Sequence, residues 1–435
     1  MNSDIYLEKN ISQQPAIDLL TAMGYTYISP ADCDRQRGSR YHVLLKDVLR
    51  GQLRRLNRYA YAGAENEFSA ANIERAMEDL DEPLTDGLVR TSEKIYDALL
   101  LGKSYSETVG DGKMLSFNLR YIDWDNPQNN VFHVTEEFAV DSRDRQHNAR
   151  PDIVLFINGI PFAVIECKAP HIPVEEAVGQ MIRNQQTAYI PQLFKFAQLV
   201  VAANKNTVKY ATAGTPKKFW SVWKEQDADW MQAQLDALIP NRMPTEQDRN
   251  IISLFSRERV FELIRYFILF DANVKKVCRY QQFFAVREIM KTISCSDEHD
   301  NRQSGVIWHT QGSGKSLTMV MLAKYILMEL KNCHPRVVIV TDRKELDAQI
   351  TATFSHTRLT PARATSGRHL VELVSSARAD IITSIINKFN TVERQEAKNP
   401  SRDIFVLVDE SHRSNYGLMA TRMRSVFPNA CYIGF

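Results

Sequence analysis

Apolar positions in the first hundred residues recur at helical spacing. One stripe comprises Ile17, Leu19, Leu20 and Met23. A second stripe comprises Val43, Leu44, Leu45, Val48, Leu49 and Leu53. Because residues three and four apart share one helix face, residues 5–60 are predicted to be largely helical. Further helix is predicted over 67–102, with turns near Pro83 and Gly87.

Strand-like apolar runs replace the helical pattern from residue 115 onward. The predicted strands span 115–122, 131–140, 153–157, 162–167, 199–203 and 208–213. A helix is predicted over 174–189, and residues 219–275 show mixed helices and loops. This pattern predicts an α/β fold with a mixed sheet and flanking helices, whose core spans about 115–215.

Beyond residue 278, short apolar strands alternate with helical stretches. The strands are predicted at 305–308, 336–341, 379–383, 404–408 and 431–434. Such alternation is typical of a parallel sheet covered by helices on both faces. We place the domain boundary near residue 258, which gives domains 1–258 and 259–435. Because the sequence stops in the middle of an apolar strand, we expect the second domain to be truncated.

Composition narrows the class of protein. Hydrophobic residues make up 44% and charged residues 24% of the 435 positions, as in ordinary globular proteins. No apolar run reaches the roughly 18 residues that a membrane helix requires, so no membrane partner is expected. The six cysteines lack paired metal spacings and are interpreted as reduced thiols. Together these features predict a cytoplasmic protein.

Net charge is only +2, but cationic residues cluster near the start of the chain. The cluster consists of Arg35, Arg37, Arg40, Lys46, Arg50, Arg54, Arg55 and Arg58. Such clustering can follow a phosphate backbone. A solvated helix face is the alternative interpretation.

A glycine-rich turn joins the strand at 305–308 to a strongly apolar helix. Small residues there would let main-chain N–H groups face an anion at the positive helix N-terminus. Lys315 would reach the β- and γ-phosphates of ATP, and the Ser316 hydroxyl would ligate Mg²⁺. The other residues expected to bind the nucleotide are Thr310, Gln311, Gly312, Ser313 and Gly314. The usual first glycine of this pattern is His309, and a chance turn is the alternative that the flanking strand and helix disfavour.

Two adjacent carboxylates follow the strand predicted at 404–408. Asp409 is placed to hold Mg²⁺ through water, and Glu410 to orient and deprotonate the attacking water. Charged residues often end strands, so the pair alone is a weak signal. Its position about 90 residues after Lys315, on the same strand–helix scaffold, makes it a strong one.

A second site is predicted on the hairpin formed by 153–157 and 162–167, whose Asn158-Gly159 sequence favours a tight turn. A two-residue turn places Asp152 opposite Ile165, whereas a three-residue loop places it opposite Glu166. In either case the two carboxylates come close, and Lys168 shares a strand face with Glu166.

Burying two carboxylates and a lysine is costly, and metal binding is the expected reason. Asp152 and Glu166 would ligate Mg²⁺, with the Cys167 carbonyl as a third donor. Lys168 would position the attacking water or offset charge on the phosphate.

Several segments resemble motifs of superfamily 2 helicases. Residues 409–412 resemble the Asp-Glu-x-His box, and 309–316 resemble the first motif, with a His-Thr-Gln start typical of type I restriction motors. Residues 279–282 resemble the adenine-reading motif, which implies that Gln282 bonds the base while Tyr280 or Arg279 packs on it. Residues 340–349 and 383–389 resemble DNA-contacting segments. The contacts they imply are Thr341, Asp342, Arg343 and Thr383.

The hairpin pattern Pro-Asp…Glu-x-Lys resembles the PD-(D/E)xK nucleases. Gln185 and Tyr189, on the predicted helix 174–189, resemble the Gln-x-x-x-Tyr motif of the RecB-like branch. An ordinary surface pair on a helix is the alternative for these two residues.

Nearly the whole chain resembles the restriction (R) subunit of type I restriction enzymes. That resemblance implies a restriction-endonuclease-like domain followed by a RecA-like P-loop domain. It also implies ATP-dependent translocation and Mg²⁺-dependent cleavage of double-stranded DNA, with methyltransferase (M) and specificity (S) subunits as partners. A stand-alone nuclease–helicase of repair or phage defence, and a non-catalytic assembly module, are the alternatives.

Overall fold

The computed structural model describes residues 8–110, 112–296, 298, 301–308, 314–330, 333–341, 361–376, 379–385, 398–409 and 416–435. The chain divides into two compact units, Met1–Tyr280 and Gln281–Phe435. Among the described residues, no helix combines the length and apolar character needed to cross a membrane.

The first unit begins with a π-helical segment, Glu8–Gln13. Its α-helices are α1 (Gln14–Ala22), α2 (Pro30–Arg37), α3 (Lys46–Leu56), α4 (Ala70–Leu80), α5 (Leu88–Leu101), α6 (Val174–Asn184), α7 (Pro191–Phe194), α8 (Ala228–Leu238), α9 (Glu246–Phe255) and α10 (Arg257–Tyr266). Three-residue 3-10 turns lie at Leu84–Asp86, Pro127–Asn129 and Lys217–Phe219.

Fourteen strands are described in this unit. They are β1 (Thr26–Tyr27), β2 (Arg58–Tyr61), β3 (Ala64–Glu67), β4 (Lys103–Thr108), β5 (Met114–Leu119), β6 (Phe132–Glu136), β7 (Val140–Asp141), β8 (Asn148–Ala149), β9 (Ile153–Ile157), β10 (Ile160–Cys167), β11 (Leu199–Ala203), β12 (Val208–Ala211), β13 (Ile268–Asp271) and β14 (Val274–Val277).

Six of these strands form a mixed sheet in the order β1-β6-β9-β10-β11-β12. The β6–β9, β9–β10 and β11–β12 pairs are antiparallel, whereas β1–β6 and β10–β11 are parallel. Every residue of β9, β10 and β11 is buried. Their sequences are therefore nearly continuous apolar runs rather than alternating ones, because both faces of the central sheet are covered.

The helix predicted over 174–189 was too long, because α6 ends at Asn184. The Ile190 N–H donates to the Asn184 carbonyl at 3.1 Å, which reverses the chain. Pro191 follows directly and has no N–H with which to continue a helix. The predictions also missed the β2–β3 hairpin and strand β4, whose exposed positions carry few apolar residues.

The boundary between the units follows Tyr280 rather than residue 258, because α9, α10 and the β13–β14 hairpin pack on the first unit. The Tyr25 hydroxyl donates to the Phe255 carbonyl at 2.8 Å, and the Tyr96 hydroxyl donates to the Ile264 carbonyl at 2.7 Å. The buried Lys275 ammonium donates to the Ala197 carbonyl at 3.0 Å. These bonds hold residues 246–277 to the preceding chain.

The described helices of the second unit are α11 (Tyr280–Ile293), α12 (Lys315–Glu329), α13 (Gly367–Ser375) and α14 (Tyr416–Val426). Its described strands are β15 (Gly305–Val306), β16 (Arg336–Thr341), β17 (Pro361–Arg363), β18 (Ile381–Ile385), β19 (Ile404–Val408) and β20 (Cys431–Gly434). They form one sheet in the order β15-β20-β19-β16-β18-β17, and every pair is parallel. The predicted fold class, a mixed sheet followed by a parallel sheet, is confirmed.

Two hairpin turns of the first unit have matching backbones but different surroundings. Gly63 and Gly159 have φ angles of 81° and 82°. A Cβ at Gly159 would lie 2.6 Å from the Leu45 carbonyl oxygen, whereas one at Gly63 would meet nothing within 4 Å. The Leu45 N–H also donates to the Gly159 carbonyl, at 2.9 Å. The β9–β10 turn is thus held against the start of α3.

We expect Gly63→Ala to lower the free energy of unfolding by about 1–2 kcal/mol, the cost of a left-handed alanine. Gly159→Ala should cost about 1–3 kcal/mol more, because the added methyl also displaces α3. Urea unfolding followed by tryptophan fluorescence measures both, since all of the five tryptophans except Trp308 lie in the first unit. Equal losses in the two variants would show that the close approach to α3 does not matter.

Candidate active sites

The structure decides between the two strand registers that were predicted for the β9–β10 hairpin. Ile157 pairs with Ile160, so the turn has two residues, but the register shifts by one between Pro161 and Ala163. Beyond this bulge Ile153 pairs with Ile165. The next residues along the strands, Asp152 and Glu166, are therefore brought side by side. The bulge has the effect that was predicted for a three-residue loop.

Asp152, Glu166 and Lys168 form one cluster, in which the two acids are buried and the lysine is half-buried. Asp152 is 7% and Glu166 1% exposed. The Cys167 N–H donates to Asp152 Oδ2 at 2.6 Å. Lys168 Nζ lies 3.3 Å from Glu166 Oε1 and donates to the Cys167 carbonyl at 2.9 Å. The cluster brings two acids and one base together where the hairpin ends.

The electrostatics of the cluster are unfavourable without a further cation. Burial raises the pKa of Asp152 to about 7, although the Cys167 N–H and Lys168 oppose the shift. Burial and the neighbouring Asp152 raise the pKa of Glu166 well above its ordinary value. Burial lowers the pKa of Lys168, but the attraction of Glu166 and Asp152 outweighs it and the net shift is upward. Two desolvated carboxylates thus share one ammonium group.

The donor set suits a divalent cation bound largely through water. Glu166 Oε2 is buried and has no hydrogen-bond partner among the described residues. The described residues contain no group of three or more His, Cys, Asp or Glu side chains arranged to hold a metal. Mg²⁺ needs no such cage, since it commonly binds one or two carboxylates and keeps several waters. Asp152, Glu166 and the Cys167 carbonyl fit that description.

The π-helical segment Glu8–Gln13 adds two contacts that sequence reasoning missed. Glu8 Oε2 lies 3.5 Å from Lys168 Nζ. Gln13 Nε2 donates to the Asp152 carbonyl at 3.1 Å. Nothing in the local sequence marks these residues, because they reach the hairpin across about 140 to 160 residues of chain. π-Helical turns are rare and often lie at functional sites, which would have been the signal if the backbone had been known.

The structure does not place Gln185 and Tyr189 on one helix, since α6 ends before both. The Gln185 side chain donates to the Met181 carbonyl at 3.0 Å and accepts from the Gly214 N–H at 2.7 Å. The Tyr189 ring stacks on His147, with centroids 5.1 Å apart. Tyr189 also lines a cleft of about 830 Å³ together with Arg143 and Arg145.

In the second unit, Lys315 and Asp409 come together as the predicted nucleotide site requires. Lys315 Nζ lies 3.0 Å from Asp409 Oδ1, and Asp409 is 6% exposed. Gly314 has a φ angle of 85°, and Gln282 Nε2 donates to its carbonyl at 3.0 Å. Lys315 begins α12, the helix that precedes β16 in the chain, and Asp409 directly follows β19. Strands β16 and β19 are paired neighbours in the sheet. Ser316 lies in the first turn of α12, half-buried.

The structure describes only some of the other residues that were predicted for the ATP-binding and DNA-binding sites. Thr341 and Thr383 are 1% and 0% exposed, so neither hydroxyl is presented to solvent. Arg279 is exposed, and Tyr280 is half-buried at the start of α11. Seven predicted residues lie outside the described residues. They are Thr310, Gln311, Gly312, Ser313, Asp342, Arg343 and Glu410.

The basic segment near the start of the chain is largely neutralised. Five of its eight cationic side chains form ion pairs with carboxylates. These are Arg35, Arg37, Arg40, Arg50 and Arg58. For these residues the arrangement favours a network of surface ion pairs over a bare phosphate-binding stripe.

Known families match both units. Residues 5–219 match the model of the type I restriction enzyme R protein N terminus, and residues 281–435 match that of the SWI2/SNF2 ATPases. A putative type I restriction enzyme MjaIXP endonuclease subunit from Methanocaldococcus jannaschii is 29% identical over 452 residues, covering 98% of this chain and 42% of the relative. The type I restriction enzyme HindI endonuclease subunit from Haemophilus influenzae is 27% identical over 476 residues. That match covers 99% of this chain and 42% of the relative.

The chain is thus similar along nearly its whole length to the endonuclease subunits of type I restriction enzymes. It spans about 42% of the length of these two curated relatives. A solved structure of a nuclease-deletion mutant of the type ISP restriction-modification enzyme LlaGI, in complex with a DNA substrate mimic, is 16% identical. It covers 36% of this chain and 17% of that one, and its TM-score of 0.28 is too low to bear on the fold of this chain.

Replacing Asp152 by Asn should stabilise the metal-free chain in a pH-dependent way. The folded-state pKa of about 7 lies above the unfolded value of about 3.9, so the folded state binds more protons between these values. The contribution of the Asp152 carboxyl to the free energy of unfolding is therefore fully present below about pH 4 and is lost as the pH rises through 7. Asn keeps the oxygen that accepts from Cys167 but carries no charge.

We expect Asp152→Asn to match the wild type near pH 4. Near pH 8 it should melt higher, by an amount on the order of 5 °C. Thermal melts in a chelating buffer test this, with the exposed Glu65→Gln as a control that should show no pH-dependent difference. A constant offset between Asp152→Asn and the wild type across this range would contradict the assigned desolvation.

Proposed function

We propose that this chain forms the nuclease and ATP-binding part of the R subunit of a type I restriction-modification enzyme. In this proposal the nuclease, predicted over residues 1–258, occupies the first unit, and the first RecA-like domain of a translocating motor, predicted over 259–435, occupies the second. The complete enzyme is an ATP-dependent, type I site-specific deoxyribonuclease. It translocates double-stranded DNA and cuts both strands of unmodified DNA away from the recognition site.

The observation that carries the proposal is the Asp152–Glu166–Lys168 cluster, with its two buried carboxylates, in a chain similar to restriction endonuclease subunits. A protein that needed only stability would gain by replacing buried, incompletely paired charges with apolar residues. Retention of all three groups on one hairpin supports a catalytic role. The Lys315–Asp409 pair in the second unit supports nucleotide binding by the same chain.

For cleavage, Asp152, Glu166 and the Cys167 carbonyl would hold Mg²⁺. When bound, that ion supplies Lewis-acid polarisation of the phosphate and a water of lowered pKa. The Lys168 ammonium, already 2.9 Å from the Cys167 carbonyl, would orient the attacking water or neutralise charge developing on the phosphate. Glu8 accepts from Lys168 and would hold its ammonium in place. Gln185 and Tyr189 would be accessory residues of the nuclease.

For ATP turnover, the Lys315 ammonium would leave Asp409 and bind the β- and γ-phosphates. Ser316 and Asp409 would hold the Mg²⁺ that accompanies the nucleotide, directly and through water. Glu410 would act as the base toward the attacking water. The adenine would be read by Gln282 and packed by Tyr280 or Arg279. Of the four predicted DNA contacts, Asp342 and Arg343 would contact DNA. Thr341 and Thr383 are 1% and 0% exposed and are not accessible to DNA in this structure.

The proposed partners are double-stranded DNA and the M and S subunits. Specificity would then reside in the S subunit, and the nuclease would need no base-reading surface of its own. Two observations support a multisubunit enzyme: the relatives are named as subunits, and the chain matches them along nearly its whole length. We place the protein in the cytoplasm, where DNA, ATP and reduced thiols occur together.

Separate substitutions should divide the two activities of the full-length R subunit assembled with its M and S partners. Asp152→Ala or Lys168→Ala should lower DNA cleavage by at least about a hundredfold and leave ATP turnover within about twofold. Lys315→Ala should remove ATP turnover and, because cleavage follows translocation, remote cleavage as well. Cleavage of plasmid DNA and release of phosphate measure the two activities.

Lys209→Ala is the matched control, since this lysine lies on β12 and pairs with Glu175 at 2.7 Å away from the cluster. It should change neither activity. If Lys168→Ala removed ATP turnover together with cleavage, the separation of roles would be wrong. Full activity without M and S subunits would instead favour a stand-alone nuclease–helicase.

A further inference from the structure

Ser12 and Gln247 form a reciprocal pair of hydrogen bonds deep in the first unit. Their exposed fractions are 0% and 1%. The Ser12 hydroxyl donates to Gln247 Oε1 at 2.6 Å, and Gln247 Nε2 donates to the Ser12 carbonyl at 2.7 Å. The Lys205 N–H also donates to Gln247 Oε1, at 3.2 Å. Because two donors face the oxygen and an acceptor faces the nitrogen, the amide has one satisfied orientation.

Ser12 belongs to the segment that contacts the nuclease cluster. Within Glu8–Gln13, Glu8 reaches the Lys168 ammonium and Gln13 reaches the Asp152 carbonyl. The segment thus contacts the cluster at both of its ends, and Gln247 binds Ser12, the residue next to Gln13. Moving Ser12 would alter both contacts, since a π-helical segment of six residues has little internal slack.

Gln247 itself is held rigidly. It lies in the first turn of α9, where Thr245 and Asp248 form a capping box. The Arg242 guanidinium donates two hydrogen bonds to the Asp248 carboxylate, at 2.6 and 2.7 Å. The Gln247 N–H donates to the Lys205 carbonyl at 3.1 Å, which ties the turn to the chain just after β11. A side chain on such a base can define the position of its partner.

We propose that Gln247 is a positioning residue of the nuclease, acting through Ser12 to set Glu8 and Gln13 against Lys168 and Asp152. The inference rests on the proposed function of the cluster. It also assigns a role to α9, which with α10 and the β13–β14 hairpin precedes the second unit in the chain. The segment that leads from the nuclease to the motor therefore carries a residue on which the geometry of the nuclease site depends.

Gln247→Ala tests the proposal against the matched control Asn250→Ala. Asn250 is a buried residue of the same helix, and its Nδ2 donates to the Glu246 carbonyl one turn earlier. Amide hydrogen exchange of residues 8–13 is measured first. Gln247→Ala should speed exchange there by about tenfold or more, because three buried hydrogen bonds are lost. Asn250→Ala should leave it within about twofold of the wild type.

Mn²⁺ binding, followed by electron paramagnetic resonance on the same chain, provides the second measurement. Gln247→Ala should weaken it by about tenfold, and in the assembled enzyme kcat for cleavage should fall while KM for DNA stays within about twofold. Ser12→Ala removes the hydroxyl bond to Gln247 and the hydroxyl's contact with the Cys167 thiol but keeps the carbonyl bond, so its effect on the exchange of residues 8–13 should be intermediate. The double variant Ser12→Ala/Gln247→Ala should be no worse than Gln247→Ala alone.

Wild-type exchange and Mn²⁺ affinity in Gln247→Ala would overturn the proposal, as would equal losses in Asn250→Ala, which would indicate a merely structural role. If Gln247→Ala does not fold, the same exchange and Mn²⁺ measurements are made on Ser12→Ala, which deletes a single hydroxyl group. Wild-type values in Ser12→Ala would then overturn the proposal. A wild-type chain that binds no Mn²⁺ would refute the proposed metal site instead. Exchange of residues 8–13 would still show whether Gln247 positions the segment.

Discussion

The first unit is organised around the desolvation of two neighbouring carboxylates. Asp152 and Glu166 lie where water cannot compensate their charge, and the Cys167 N–H and the Lys168 ammonium do so only in part. Unpaired buried charge is among the most expensive features a fold can carry. The continuous apolar strands β9, β10 and β11 make that burial possible, because hydrophobic packing on both sheet faces stabilises the hairpin independently of the charges.

That constraint explains why distant parts of the chain converge on one hairpin. The turn at Gly159 is seated on α3, and the π-helical segment Glu8–Gln13 covers the charged end. Asn158, fully buried with a φ angle of 52°, accepts from the Val131 N–H and donates to the Tyr121 carbonyl. Each contact limits the freedom of the hairpin, and together they hold the two carboxylates at close range despite their repulsion.

The nucleotide site of the second unit follows a different electrostatic principle. Its lysine and its carboxylate already neutralise one another, and Asp409 is the residue at the end of an apolar parallel strand. Such a site is balanced before any ligand arrives, and a bound nucleotide would replace one partner of an existing ion pair. The nuclease cluster, by contrast, places two buried acids beside one lysine, and burial raises the pKa of both acids instead of leaving two paired carboxylates. A divalent cation would complete it.

Local chemistry in the sequence determined much of this protein. The apolar strands, the Asn158-Gly159 turn, the strand–turn–helix context of Lys315 and the closeness of Asp152 to Glu166 all follow from patterns that act over a few residues. The mixed and parallel sheets were predicted for the same reason. The helix predicted over 174–189 was too long, because α6 ends at Asn184, where the Ile190 N–H donates to its carbonyl. The first unit extends beyond residue 258, because side chains such as Tyr25 and Tyr96 bond to distant backbone carbonyls. The register bulge, the contact of Glu8 with Lys168 and the link from Ser12 to Gln247 join residues that only folding brings together. Periodicity and propensity carry no information about such pairs, because their energy exists only after the intervening chain has packed.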